Sequence, residues 1–139
     1  MNKTVNVIWN SGMQFIGKVD DFSIVLDASD EVGGKNSGPR PKSLLMISLG
    51  GCTGMDVVSL LKKMKVNFSF FNIKLTGTLA EEHPMSYENI HIIYEIICSK
   101  DDLAKVEKAV QLSMNKYCGV SATLKKGIPV TYEIQLNPE

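Results

Sequence analysis

The chain has 139 residues, 44% of them apolar, with fifteen basic and fifteen acidic side chains and a formal net charge of zero. That length suits one domain with a buried core of its own, so residues 1–139 are read as a single domain. Balanced charge gives no electrostatic reason to bind nucleic acid or an anionic membrane, and Arg40, the only arginine, must serve any task needing a guanidinium fork.

The N-terminal stretch MNKTVNVIWNSG lacks an apolar signal core, which points to a cytoplasmic protein. Val5 to Trp9 and Met13 to Val19 are rich in β-branched and aromatic residues. Asn10-Ser11-Gly12 lies between them, and the whole predicts a hairpin. Phe22 to Leu26 predicts a third strand. Residues 27–41, DASDEVGGKNSGPRP, predict a long loop. Pro41 suits the first turn of a helix, and Leu44 to Leu61 carries one charge, Asp56. Lys62, Lys63 and Lys65 follow, at the end where the helix dipole favours cations. Such a helix is apolar on nearly every face and is expected to be buried all round. Asp56, Ser48, Ser59 and three glycines argue against its spanning a membrane. Phe68 to Leu79 and Tyr87 to Cys98 predict two longer strands. Ser99, followed by Asp102, resembles a capping box for a second helix, with Leu103, Val106, Ala109, Val110, Ser113 and Met114 as its buried stripe. Val130 to Leu136 alternates as a final strand.

Three cysteines, an odd and sparse number, do not suggest a secreted disulfide framework; free thiols in a reducing cytosol fit better. Cys52 lies in Gly50-Gly51-Cys52-Thr53-Gly54, where three glycines in a helix must have a packing reason. A lone helical cysteine is first read as a small core residue. Two features open a second reading. The small neighbours leave room beside the Cys52 sulfur, and Cys118 sits in Lys116-Tyr117-Cys118-Gly119-Val120-Ser121-Ala122, another small and hydroxyl-rich setting. Two such thiols could form a peroxidatic and resolving pair, although spacing does not show that they meet. Cys98, ending an isoleucine-rich strand, reads as buried filler. His83 and His91 stand in no metal-ligand spacing, so neither a metal nor another cofactor is implied.

Gly33-Gly34 and Gly38-Pro39-Arg40-Pro41, then Leu49-Gly50-Gly51-Cys52-Thr53, and much later Lys116-Tyr117-Cys118-Gly119-Val120-Ser121-Ala122, together form a pattern across essentially the whole chain. It resembles the OsmC/Ohr superfamily of osmotically induced and organic-hydroperoxide-resistance proteins, and within it the OsmC-like branch rather than the Ohr enzymes. The resemblance implies an α+β fold: antiparallel sheets packed with a long buried central helix and a second helix. It also implies an intertwined homodimer with the central helices against each other. Cys52 would match the peroxidatic cysteine and Cys118 the resolving one. A small organic hydroperoxide would be the substrate and a dithiol the reductant.

The Ohr enzymes support their thiolate with a glutamate and an arginine. Here Lys42-Ser43 stands where the glutamate would be, and the N-terminal strands offer only Lys18. Arg40 is the remaining candidate. It lies twelve residues before Cys52, roughly 18 Å along a helix, so it is expected to approach the partner chain's thiol. The rival reading is a non-catalytic dimer of the same fold that binds a small apolar ligand. A thiol hydrolase lacks a convincing base.

Overall fold

Two tight turns fold the first strands back on each other. The structure is a computed structural model describing residues 1–139, and it forms two units, 1–45 and 46–139. In the first unit, β1 (Asn6–Ser11), β2 (Gln14–Val19) and β3 (Phe22–Leu26) make an antiparallel meander in the order β1-β2-β3. The sequence points to a turn at Asn10-Ser11-Gly12, but β1 continues through Ser11, which pairs with Gln14. Gly12 is the residue that takes a left-handed backbone, φ +55°, at no Cβ cost, and the turn forms there. Trp9 Nε1 donates to the Gly12 carbonyl at 2.8 Å. The sheet leaves large apolar side chains exposed, Phe22 at 70% and Trp9 at 61%.

The loop after β3 is organised around one buried carboxylate. Asp27 Oδ1 accepts from the Ala28 amide at 2.7 Å. Asp27 Oδ2 accepts from the Ser37 hydroxyl at 2.6 Å and from the amides of Ser37 and Lys35 at 3.1 and 3.2 Å. One side chain thus satisfies backbone donors eight and ten residues away. The Ser37 hydroxyl and Ala28 amide, joined by the other two amides, outweigh desolvation and hold the Asp27 pKa at about 2.

In the second unit, β4 (Phe68–Leu79), β5 (Tyr87–Cys98) and β6 (Val130–Leu136) form a sheet in that order. β4 and β5 are antiparallel, but β6 lies parallel to β5, with Ile92 opposite Tyr132. The other pairs are antiparallel as the resemblance implies, and the β5–β6 pair is the departure. A helical crossover separates β5 from β6, and it brings the chain back to run in the same direction. That crossover comprises a 3₁₀ turn (Lys100–Asp102), α2 (Leu103–Leu112), a π-helical turn (Ser113–Tyr117) and a short helix α3 (Gly119–Leu124). Ser99 does cap, but it caps the 3₁₀ turn, accepting from the Asp101 amide at 3.2 Å. Asp102 makes no cap bond and instead pairs with Lys105 at 3.7 Å. Val106, Ala109, Val110, Ser113 and Met114 are buried as their spacing predicts, whereas Leu103, at the first position of α2, is exposed.

The long helix α1 spans Pro41–Lys63, where the sequence places it. It is long and apolar enough to cross a bilayer by composition, yet Leu49, Gly50, Thr53, Val57 and Leu61 are buried in the protein. Leu49, Thr53, Val57 and Leu61 recur every four positions with Gly50 beside the first, which makes one stripe. They join Ile90, Ile92, Tyr94 and Ile96 of β5 and Val106, Ala109 and Val110 of α2 in the core. The single chain does not bury the helix all round: Ile47 is 60% exposed and Met55 77%. Gly50 and Gly54 face the sheet, since a Cβ on either would stand 2.9 Å from the Leu75 or Ile73 side chain. Gly51 faces open space.

Asp27 generates a prediction. Its folded pKa lies below the ordinary 3.8, so the carboxylate stabilises the fold above pH about 4, and that stability is lost as pH falls towards 2. Asp27→Asn is expected to lower the urea midpoint at pH 7 and to flatten the dependence of stability on pH between 4 and 2. Urea titrations of both chains across that range check it; parallel acid limbs would rule Asp27 out as the anchor.

Candidate functional site

Cys52 and Cys118 reach one place from elements far apart in sequence. Cys52 rides on α1 next to the core stripe and is half-buried, so its sulfur sits at the margin of the core. Cys118 is buried and joins the π-helical turn to α3. Its amide donates to the Ser113 carbonyl at 2.8 Å, and its sulfur accepts from the Ser121 amide at 3.3 Å, so the thiol caps α3. The two thiols lie close together. Both are free, with no disulfide between them.

Their surroundings make the pair unequal. Burial, more than any other influence, pushes the Cys118 pKa up to about 11; the Ser121 amide opposes this, while contact with Cys52 and the charge of Asp56 add to it. Cys118 therefore keeps its proton at neutral pH. The Ser121 hydroxyl is buried with no hydrogen-bond partner, which leaves one unused polar group beside the pair.

A chain of hydroxyls runs alongside. Thr53, the residue after Cys52, is fully buried, and its Oγ1 lies 2.7 Å from Tyr94 Oη and 2.7 Å from Ser113 Oγ. Ser113 Oγ donates to Asp56 Oδ2 at 3.0 Å. Burial raises the Tyr94 pKa to about 12, and this phenol also feels the charge of Cys118. Sequence reasoning named Thr53 only as a small neighbour and missed the chain. Asp56 one turn after Cys52 was legible as a nearby charge, but the cross-links to Tyr94 and Ser113 join residues 41 and 60 positions apart. At the surface end, Asp56 lines a cavity of about 190 Å³ with Ser59, Leu60, Lys63 and Tyr117.

The remaining candidates make contacts of their own. Arg40 belongs to the first unit, where its Nη1 donates to Asn36 Oδ1 at 2.7 Å and to the Gly38 carbonyl at 3.1 Å. Cys98 ends β5, and its thiol donates to the Ser99 carbonyl at 3.5 Å; burial raises its pKa. His83 lies exposed in the turn before β5. His91 stands on β5, with Nδ1 2.7 Å from Thr131 Oγ1 and Nε2 3.0 Å from Glu133 Oε1. An open apolar groove of about 640 Å³ runs along α1 past Gly51, Gly54, Met55 and Val58, and neither thiol lines it.

With a two-layer α+β unit and a cysteine pair at the helix–crossover junction, the fold and site define one family. The chain belongs to the OsmC-like proteins of the OsmC/Ohr superfamily: residues 34–133 match the OsmC-like protein family model. It is 32% identical over 132 residues to Protein YhfA of Escherichia coli K12, covering 94% of this chain and 95% of that protein. A hypothetical protein from Aquifex aeolicus VF5 superposes with a TM-score of 0.80 at 30% identity, covering 99% of each chain. The organic hydroperoxide resistance protein OsmC of Legionella pneumophila shares the fold, with a TM-score of 0.69 at 14% identity over 95% of this chain and 96% of that one.

Thr53→Val keeps the shape but removes the hydroxyl that joins Tyr94 to Ser113. With the buried Tyr94 hydroxyl left unpaired, the expected loss of stability is about 2 kcal/mol. Urea unfolding at pH 7 measures it; a loss no larger than that of a surface Thr→Val would mean that the hydroxyl contacts are not maintained.

Proposed function

We propose that this chain is a cytoplasmic thiol-dependent redox protein that reduces organic hydroperoxides through Cys52 and Cys118, working as a homodimer. The observation that supports this most directly is the adjoining pair of free thiols, one half-buried and one deeply buried and protonated. Cys52, the more accessible of the two, is the peroxidatic thiol. Its thiolate attacks the outer peroxide oxygen, the O–O bond breaks, and an alcohol leaves after taking a proton. The resulting sulfenic acid is closed by Cys118 into a disulfide, with loss of water. An external dithiol then reduces the disulfide by exchange.

The Legionella protein's name, with its organic hydroperoxide resistance, supports the substrate class. Arg40, approaching from the partner chain, is the cation we assign to favouring the Cys52 thiolate, since its charge persists at any working pH. The homodimer is supported by apolar surface that one chain leaves uncovered: Ile47 and Met55 on α1, the open side of Gly51, and the large side chains of the first sheet. The groove along α1 favours one rival, binding of a small apolar ligand without chemistry.

One equivalent of cumene hydroperoxide is expected to remove two thiols per chain and leave Cys98 alkylatable. Cys118→Ala should stop at a trappable sulfenic acid, and Cys98→Ala should behave as wild type. Thiol mapping by mass spectrometry reads all three; three thiols surviving in the wild type would hand the case to the ligand-binding rival. Arg40→Ala should slow the first oxidation about tenfold without changing disulfide closure, as followed by stopped-flow. A dimer is expected by sedimentation at micromolar concentration, and a monomer would remove the assembly from the proposal.

A further inference from the structure

The short helix α3 carries two hydroxyls that behave differently. Thr123 Oγ1 donates to the Gly119 carbonyl four residues back at 3.0 Å, the ordinary outlet for a hydroxyl inside a helix. Ser121, two residues earlier, makes no such bond. Its side chain is fully buried, and its Oγ has no hydrogen-bond partner. A buried hydroxyl left unpaired is costly, and alanine would occupy the same helical place at lower cost. A serine here needs a reason beyond packing.

The neighbouring sulfur supplies one. The Ser121 amide donates to Cys118 Sγ at 3.3 Å. Covalent geometry keeps Oγ within about 4 Å of that same amide nitrogen in every rotamer, which leaves the hydroxyl one rotamer change from the sulfur. A neutral thiol is a weak acceptor and does not hold the hydroxyl. A thiolate is a strong one, and a hydrogen bond to it is charge-assisted. Such a bond is absent from the resting thiol and forms only as charge develops. That is the condition for lowering a barrier rather than deepening the ground state.

Within the hydroperoxide reading given above, on which this inference rests, Cys118 must carry that charge when it closes on the Cys52 sulfenic acid. Burial opposes the charge, and so do Cys52 and Asp56 from α1. Tyr94 of β5 is the other titratable group that senses this sulfur. The Ser121 amide is the one group that favours the thiolate in the resting protein.

We propose that the Ser121 hydroxyl is a rate-setting donor for disulfide closure, turning onto the Cys118 sulfur as that sulfur ionises and joining the amide of the same residue. The Cys118 S–H bond breaks, its sulfur bonds to the Cys52 sulfur, and the Cys52 S–O bond breaks. Cys118 is oxidised and the sulfenic sulfur of Cys52 is reduced, both to the disulfide level. The proton from Cys118 and the hydroxide from Cys52 leave as one water, so no further reactant is needed. Ser121 keeps its own proton throughout. When a dithiol attacks the more accessible Cys52 sulfur, Cys118 is the leaving thiolate, and the same hydroxyl serves the step in reverse.

Ser121→Ala removes the hydroxyl and leaves the amide in place. Full-length reduced protein is mixed with one equivalent of cumene hydroperoxide at pH 7 and quenched with dimedone at intervals, and sulfenic acid and disulfide are followed by intact mass. Sulfenic acid should form at the wild-type rate, and closure should slow about ten- to a hundredfold. Reduction of the disulfide by dithiothreitol should slow by the same factor, so that its equilibrium with dithiothreitol stays at the wild-type position. The urea midpoint of the reduced protein should rise. Ser121→Gly removes the same hydroxyl but loosens α3, and should slow both steps alike; it carries the test if Ser121→Ala does not fold. Closure at the wild-type rate in either variant overturns the proposal. So does slowed closure with a displaced dithiothreitol equilibrium, which would mean that Cys118 is misplaced rather than its charge unsupported. A lower urea midpoint in Ser121→Ala would show that the hydroxyl has a partner in the resting protein, and overturns it too. A wild type that forms no sulfenic acid or disulfide instead overturns the hydroperoxide reading, and the role of Ser121 with it.

Discussion

Where α1 lies on β5 determines most of what the second unit can do. The stripe Leu49, Thr53, Val57 and Leu61 is packed into the face of β5 formed by Ile90, Ile92, Tyr94 and Ile96. In a close-packed interior such a contact has one good register, because a helix turned by one residue would put Cys52 or Gly54 where Thr53 stands. Gly50 and Gly54 let the helix down onto Leu75 and Ile73 of β4. The Thr53–Tyr94 hydrogen bond adds a polar pin to that register, since both groups are buried and would be costly to leave unpaired. Once the helix is set, Cys52 has no freedom to be deep in the core or fully in solvent: it stands at the margin.

The crossover from β5 to β6 supplies the other half of the site. Joining two parallel strands requires a long connection, and here the connection carries Ser113 at the end of α2 and Cys118 before α3. The π-helical turn Ser113–Tyr117 ends with the Cys118 amide on the Ser113 carbonyl, which ties these two residues together. π-Helical turns often mark functional sites, where an extra residue in the turn re-aims a side chain. The result is two chemically different thiols from identical side chains. Desolvation keeps the proton on Cys118, and the margin position exposes Cys52.

The first unit is held by a different kind of interaction. Its three-stranded meander leaves large apolar side chains exposed, and its loop draws on Asp27, whose carboxylate takes the amides of Ala28, Lys35 and Ser37 beside the loop's own backbone bonds. The loop ends at Arg40, just before the helix begins at Pro41, and Arg40 itself is tied to Asn36 and Gly38 of the same loop. A segment this long is ordered because a 3₁₀ turn (Asp30–Val32) and loop backbone bonds pair part of its donors, and one buried carboxylate accepts from three further amides.

Local pattern by itself determined the elements. Strands at Phe22–Leu26, Phe68–Leu79, Tyr87–Cys98 and Val130–Leu136, and the start of α1 at Pro41, were legible because period-two alternation, proline at a helix start and turn residues act within a few positions. The two motifs around Cys52 and Cys118 likewise pointed to the family and its α+β fold. Tertiary structure decided what local pattern does not encode. A strand's sequence is silent on the direction of its neighbour, so the parallel placement of β6 was not legible. An apolar helix does not say which side its own chain covers, so the exposure of Ile47 and Met55 was not legible either. Nor does a hydroxyl name its partner: Thr53, Tyr94, Ser113 and Asp56 form one hydrogen-bonded row only because α1, β5 and the end of α2 converge on the same buried point. The thiol pair belongs to that same class of fact, since the contact between Cys52 and Cys118 exists only once the crossover has folded back against the helix.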